Sequence, residues 1–138
     1  NQTFFYSDNI FNQMNYFEFV SDQYVQLLWQ HHFMGLLFNR VPLIKKLNLR
    51  EVVGFSGVYG TLSNANKNFN SSNTFTVMTN KPYCEVSAGV ENILDVIQIN
   101  FIYRLTYNDN AYKTNYELNN PGNTISNWGI KAGLKFSF

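Results

Sequence analysis

The chain is 138 residues long, the size of a single domain, and its formal net charge of +1 with no basic stripe argues against a nucleic-acid footprint. A lone cysteine, Cys84, excludes an internal disulfide. No run approaches ~18 apolar residues, which excludes a transmembrane helix but not transmembrane strands, for which ~9–11 alternating residues suffice. Charged residues make up 14% and aromatic residues 17%, whereas a soluble domain carries about 25% charged residues. The surface is therefore poor in charge and rich in rings. With no initiator Met and no signal peptide, the chain reads as a mature or excised piece.

Alternation of apolar and polar residues runs through nearly every ordered stretch and predicts about six strands. Met14 to Phe19 comes first, then a turn at Val20–Gln23. Tyr24 to Phe33 places Val25, Leu27, Trp29, His31 and Phe33 on one face, with Leu28 out of pattern. Gly35 to Leu47 is the one helical candidate. Pro42 suits a first helical turn, and Leu43, Ile44 and Leu47 form an apolar stripe beside Lys45 and Lys46. Leu49 to Thr61 sets Val53, Phe55 and Tyr59 against glycine and serine. Tyr83 to Val90 opposes Cys84, Val86, Ala88 and Val90 to Tyr83, Glu85, Ser87 and Gly89. Val96 to Tyr107 is the clearest strand, with Ile97, Ile99, Phe101, Tyr103, Leu105 and Tyr107 facing one way. Ser126 to Phe138 closes the chain on an uninterrupted alternation. Between the strands, Ser63 to Lys81 and Asn108 to Ile125 are long and rich in Asn, Ser and Thr, while Glu91 to Asp95 is a short turn in which Asn92 supplies a turn conformation.

Alternation does not say which face is wet. In a soluble sheet the apolar face is the core; in a membrane barrel it meets lipid and the lumen is polar. Here the polar faces carry Gly, Ser, Gln, Asn and Tyr with few Lys or Glu. Aromatics gather near the strand ends: Tyr16, Phe17, Phe19, Tyr24, Phe33, Tyr59, Tyr83, Tyr107, Trp128, Phe136 and Phe138. Such rings form interfacial girdles. Connections alternate long and short, as extracellular loops and periplasmic turns do. All of this predicts an inverted, lipid-facing pattern. The ending adds to it: Lys131, Gly133, Phe136 and Phe138 resemble the C-terminal targeting pattern of bacterial outer-membrane barrels, which implies pairing with the barrel-assembly machinery during insertion.

Two longer stretches, Asn15 to Phe55 and Pro82 to Tyr107, also resemble a known family. The matching features are His31-His32-Phe33 with Gly35, Val41-Pro42-Leu43 with Lys45-Lys46, Arg50-Glu51, Gly89-Glu91-Asn92, Arg104-Leu105-Thr106-Tyr107, and Gly133 to Phe138. As a set they resemble the C-terminal barrel of large Bacteroidota outer-membrane proteins. Those proteins are labelled as a domain of unknown function with a carboxypeptidase-regulatory-like domain at the N-terminus. The resemblance implies a barrel built from a longer chain and brings no catalytic residues or cofactor.

The expected fold is therefore all-β: residues 1–138 form the C-terminal part of one antiparallel up-and-down transmembrane β-barrel, with a short periplasmic helix. Single-chain bacterial barrels have at least ~8 strands, so the remaining strands must come from a longer chain or from partner copies. The expected role is an integral outer-membrane protein in transport or envelope assembly, not an enzyme, with lipid and the assembly machinery as partners. The alternative is a soluble β-barrel whose Ile97, Ile99, Phe101 and Tyr103 line an apolar cavity. Four charged residues fall on the expected lumen side, Glu85, Arg104, Lys131 and Lys135, and Glu85 with Arg104 is the expected pair. They read either as a pore constriction or as a network that satisfies buried charge. His31 and His32 are adjacent on a strand and point to opposite faces, so they cannot chelate one ion. Glu18 and Asp22 flank a turn, and nothing in the sequence sets their separation. Cys84 is expected to face lipid as an inert apolar filler.

Overall fold

Side chains that alternate must split between the sheet's faces, and a computed structural model of the chain describes this split for residues 11–15, 18–67, 75–78 and 81–134. The strands are β1 (Phe19–Val20), β2 (Gln23–Phe33), β3 (Arg50–Thr61), β4 (Thr76–Val77), β5 (Tyr83–Ile93), β6 (Ile97–Arg104) and β7 (Trp128–Leu134). Helical elements are a 3-10 turn at Phe38–Arg40, α1 (Pro42–Lys45), α2 (Asn64–Lys67) and α3 (Asn110–Asn119). The molecule is mostly β.

The main sheet has five strands in the order β2-β3-β5-β6-β7, every pair antiparallel. This is the expected up-and-down order. It is open: neither this sheet nor the small parallel pair β1-β4 closes into a barrel. Five of the expected strands are present with ends shifted by a few residues. Among the described residues, the expected strand from Met14 to Phe19 contributes no pairing to this sheet; regular structure begins at Phe19 with β1, bridged to β4 at Phe19–Thr76 and Val20–Val77. The physical reason is the company its side chains keep. Phe19 packs on Tyr83 and Tyr107 at ring-centroid distances of 5.7 and 4.9 Å. Glu18 is withdrawn completely from solvent. The segment is drawn over the sheet rather than into it.

Connections alternate as the sequence predicts. The loop before β3 and the turn at residues 94–96 share one end of the sheet; the two long connections share the other. At the short end, Leu94 and Asp95 take φ of 52° and 67°, the left-handed pair that a tight hairpin requires. Asn92 also takes positive φ, 66°, and its amide donates to the Asn48 carbonyl at 3.0 Å. The helical candidate is confirmed in part, as the 3-10 turn and α1 with Pro42 at its start. The connection from Asn108 to Ile125 is more ordered than its composition suggests. α3 occupies the tract from Asn108 to Ile125, where Asn, a poor helix former, masks the signal. Its Tyr112 and Tyr116, one turn apart, stack at 6.3 Å.

Burial is inverted relative to a soluble sheet. One face of the sheet carries Val25, Leu27, Trp29, Val53, Tyr59, Ile99, Phe101, Tyr103, Trp128 and Ile130, and all of them are exposed. The other carries Glu85, Glu91, Gln98, Asn100 and Arg104, all buried, around a small apolar core that includes Val52 and Ile102. Withdrawing each large apolar side chain from water is worth about 1.5–3 kcal/mol, so the exposed face is unfinished in water. The cover over the polar face comes from residues 11–15 and from Glu18. Gly129 leaves space for the Gln13 amide, which a Cβ there would strike. Of the expected girdle rings, Tyr59 and Trp128 stand on the exposed face. Tyr83 does not: it lies on the polar face, fully buried, clustered with Phe11 and Phe19. Tyr16, Phe17, Phe136 and Phe138 lie outside the described residues.

At the long-connection end, Asp22 ties the turn before β2 to the start of the next connection. It accepts from the Ser63 N–H and the Asn66 amide, each at 2.8 Å. Hydrogen bonds from Ser63, then from Asn66, hold its carboxyl below the usual range. A depressed folded-state value stabilises the fold at neutral pH, and the contribution disappears as pH falls through it. Asp22→Asn is therefore expected to lower the unfolding midpoint at pH 7 and to match wild type in acid. Parallel denaturation curves at neutral pH and near pH 3 check this.

Candidate functional site

The densest chemistry of the described residues lies on the polar face near the long-connection end. In register, Glu85 of β5 stands opposite Arg104 of β6, as expected. Their side chains do not pair with each other. The Arg104 guanidinium is fully buried and forms its ion pair with Glu18, itself fully buried, through both terminal nitrogens. It also donates to the Gln13 carbonyl at 3.2 Å and the Thr106 carbonyl at 3.0 Å, and it lies over the Tyr83 ring at 4.9 Å. Glu85 is held by hydrogen-bond donors instead. The backbone N–H groups of Asn12 and Gln13 reach its oxygens at 2.8 and 3.0 Å, and the Tyr83 hydroxyl donates at 2.9 Å. The expected Glu85–Arg104 pair is thus corrected. The segment crossing the polar face brings a better acceptor for the arginine and better donors for the glutamate.

Glu18 is the hub that sequence reasoning missed. Besides Arg104 it accepts from the Asn15 N–H at 2.9 Å and from the Tyr112 hydroxyl at 2.9 Å. Burial raises the Tyr112 phenol above its ordinary value, so it stays a donor. Thr76 lies 3.2 Å from that hydroxyl, and its N–H donates to the Glu18 carbonyl at 2.8 Å. The signal in the sequence was a carboxylate between rings, Phe17-Glu18-Phe19, with Tyr112 and Tyr116 at helical spacing far along the chain. Neither names the other.

The remaining expected residues separate. Lys131 joins the network through the Asn12 amide oxygen at 2.7 Å. Gly133 lies opposite Gln98 on β6. Lys135, Phe136 and Phe138 lie outside the described residues. His31 and His32 point to opposite faces as the alternation requires. His31 sits between Trp29 and Phe33, stacked at 6.0 Å on one and edge-on at 4.4 Å to the other. His32 faces the polar side, where its Nδ1 approaches the buried Glu91 to 2.6 Å. That pair, at the short-turn end, was not foreseen, because β2 and β5 are separated by β3 in the sheet. Cys84 is half-buried with a free thiol.

Chemically, the arrangement satisfies charge. Glu18 and Arg104 pair, while the Glu85 carboxylate is held by neutral N–H and O–H donors, one of them from Asn12, whose side chain also binds Lys131. Such a network fixes the covering segment against the sheet. Among the described residues no cluster of His, Cys, Asp or Glu has the makings of a metal centre. Among the described residues no helix is long and apolar enough to cross a membrane, which says nothing of strands.

No curated protein and no solved structure matches the chain. A family model does: residues 1–90 match the C-terminal domain of a family of unknown function, DUF5686. That match spans well over half of the sequence, and the chain belongs to this family.

Proposed function

We propose that the chain is the C-terminal part of an integral β-barrel of the bacterial outer membrane, whose other strands come from a longer chain. The observation that carries this reading is the inversion of burial. Buried carboxylates, amides and an arginine occupy one face of the sheet, and exposed Leu27, Trp29, Phe101 and Ile130 occupy the other. A sheet whose interior is polar and whose exterior is apolar suits lipid outside and a lumen inside. Among the described residues β2 and β7 have no outer neighbour in the sheet, and in lipid such edges need further strands. In this reading residues 11–15 and Glu18 lie in the lumen, and the Glu18–Arg104 network secures them there. The role follows as a scaffold for transport or envelope assembly without catalysis. Lys131, Gly133, Phe136 and Phe138 would serve as the signal read by the barrel-assembly machinery.

The soluble alternative needs Ile97, Ile99, Phe101 and Tyr103 under cover, and no observation favours it. The test uses the full-length protein in its envelope. Two cysteine variants in a Cys84→Ala background, Leu27→Cys on the apolar face and Ser87→Cys on the polar face, are labelled in membranes. A lipid-dissolved maleimide is expected to label the first and spare the second, and the folded protein is expected to shift on a gel after boiling. Labelling of Leu27→Cys by a water-soluble reagent in a soluble fraction would overturn the reading.

A further inference from the structure

We propose that the loop joining β2 to β3 is an anchor for anionic phospholipid headgroups. The inference rests on the membrane reading above and adds a lipid specificity to it.

The loop reads MGLLFNRVPLIKKLN from Met34 to Asn48. Five of its apolar side chains are turned outward: Met34 is 73% exposed, Leu36 58%, Leu37 62%, Val41 42% and Leu47 57%. A soluble surface seldom gathers that many apolar residues in one short segment. Its charges are all of one sign. Arg40, Lys45 and Lys46 are exposed, and none of them enters an ion pair among the described residues. No acidic residue occurs between Phe33 and Arg50. Arg50 stands by alternation on the polar face, opposite Glu91, and is left out of the site.

The loop is held in place. Glu51 shares the apolar face by alternation and register with Phe33. Its buried carboxylate accepts the N–H groups of Leu37 and Phe38 at 2.9 and 2.7 Å. That carboxylate caps the 3-10 turn and draws the loop against the rim of the apolar face. Gly35 takes φ of 76°, which lets the chain reverse, and the Asn39 amide returns to the Met34 carbonyl at 3.2 Å. Asn92 holds the far end through Asn48. The result is a fixed amphipathic ledge, continuous with the face assigned to lipid, with cations beside its apolar residues. Apolar side chains at the acyl boundary with cations among headgroups is the arrangement of an interfacial anchor, and the single sign of charge selects anionic lipid. A protein partner matched to this ledge would need an acidic and apolar surface of its own, and nothing in the fold points to one.

The full-length protein is reconstituted into phosphatidylcholine vesicles containing traces of spin-labelled phosphatidylglycerol or spin-labelled phosphatidylcholine. The motionally restricted fraction of each label is read by electron paramagnetic resonance. Wild type is expected to retain phosphatidylglycerol preferentially, on the order of fivefold for each cation engaged, with the preference declining in salt. Arg40→Gln/Lys45→Gln/Lys46→Gln is expected to bind the two labels alike. Lys45→Arg/Lys46→Arg is expected to keep the preference. A gel shift on boiling, measured on every protein, reports the barrel separately. Heat-shifting protein with no preference in wild type, or with the preference intact in the triple variant, overturns the lipid site and leaves the barrel reading standing. Protein that does not enter vesicles overturns both.

Discussion

Replacing Arg104 with Met is expected to destabilise the fold by about 3–5 kcal/mol, the usual cost of removing one partner from a buried ion pair. Both members are fully buried, so the Glu18 carboxylate would be left without its counter-charge and without water. The loss extends further, because Arg104 also holds the Gln13 and Thr106 carbonyls. Removing both charges is a different experiment. Glu18→Gln/Arg104→Met leaves a neutral amide within reach of the Asn15 N–H and the Tyr112 hydroxyl. It should cost less than the sum of the single changes, since exchanging a buried pair for neutral groups is often close to neutral. A double-mutant cycle by denaturant unfolding of the full-length protein, refolded in detergent or lipid, measures the coupling. Additive effects would mean that the pair contributes nothing beyond its members. A companion change, Glu85→Gln, reports on the same covering segment. It retains an acceptor for one of the backbone donors from Asn12 and Gln13, so it should cost less than the loss of Arg104.

The second large effect belongs to the opposite face. Ile130→Arg is expected to cost about 2–4 kcal/mol for a protein folded in a bilayer, the range for arginine at the midplane of a barrel's lipid face. Ile130 is 67% exposed and pairs in register with Phe101 near the middle of its strand. On a water-facing surface the same substitution would fall within about 0.5 kcal/mol of neutral. The difference therefore separates lipid from water at this position directly. Urea titrations of the full-length protein in vesicles give the value, and Gly129→Ser on the polar face serves as a contrast. That serine meets the Gln13 amide rather than lipid, so its effect should depend on the covering segment and not on the bilayer.

Much of the sheet was legible because alternation is a local property. The side chains of Tyr24 to Phe33 and of Ile97 to Arg104 assign themselves to faces without knowledge of any other strand, and the strands appear within a few residues of their expected ends. Pro42 marked the start of α1, and positive φ at Asn92 followed from a residue type that tolerates it. The failures had a common cause. Met14 to Phe19 alternates as well as a strand does, but partners elsewhere decided the placement of its described end: Arg104 holds Glu18, and Tyr83 and Tyr107 hold Phe19. α3 was hidden in an Asn-rich tract because its stability comes from packing Tyr112 and Tyr116 near Glu18, not from helix propensity.

The sequence by itself determined the strands, their two faces, the alternation of short and long connections, and the charged residues that must share the polar side. These depend on period and on turn chemistry, which act over a few residues. Only the tertiary structure decided who pairs with whom. Glu18 reaches Arg104 across 86 residues, Asn12 and Gln13 reach Glu85 across 73 and 72, and His32 reaches Glu91 across 59. Buried charge must find a partner wherever the chain brings one, and no local pattern records which partner that will be.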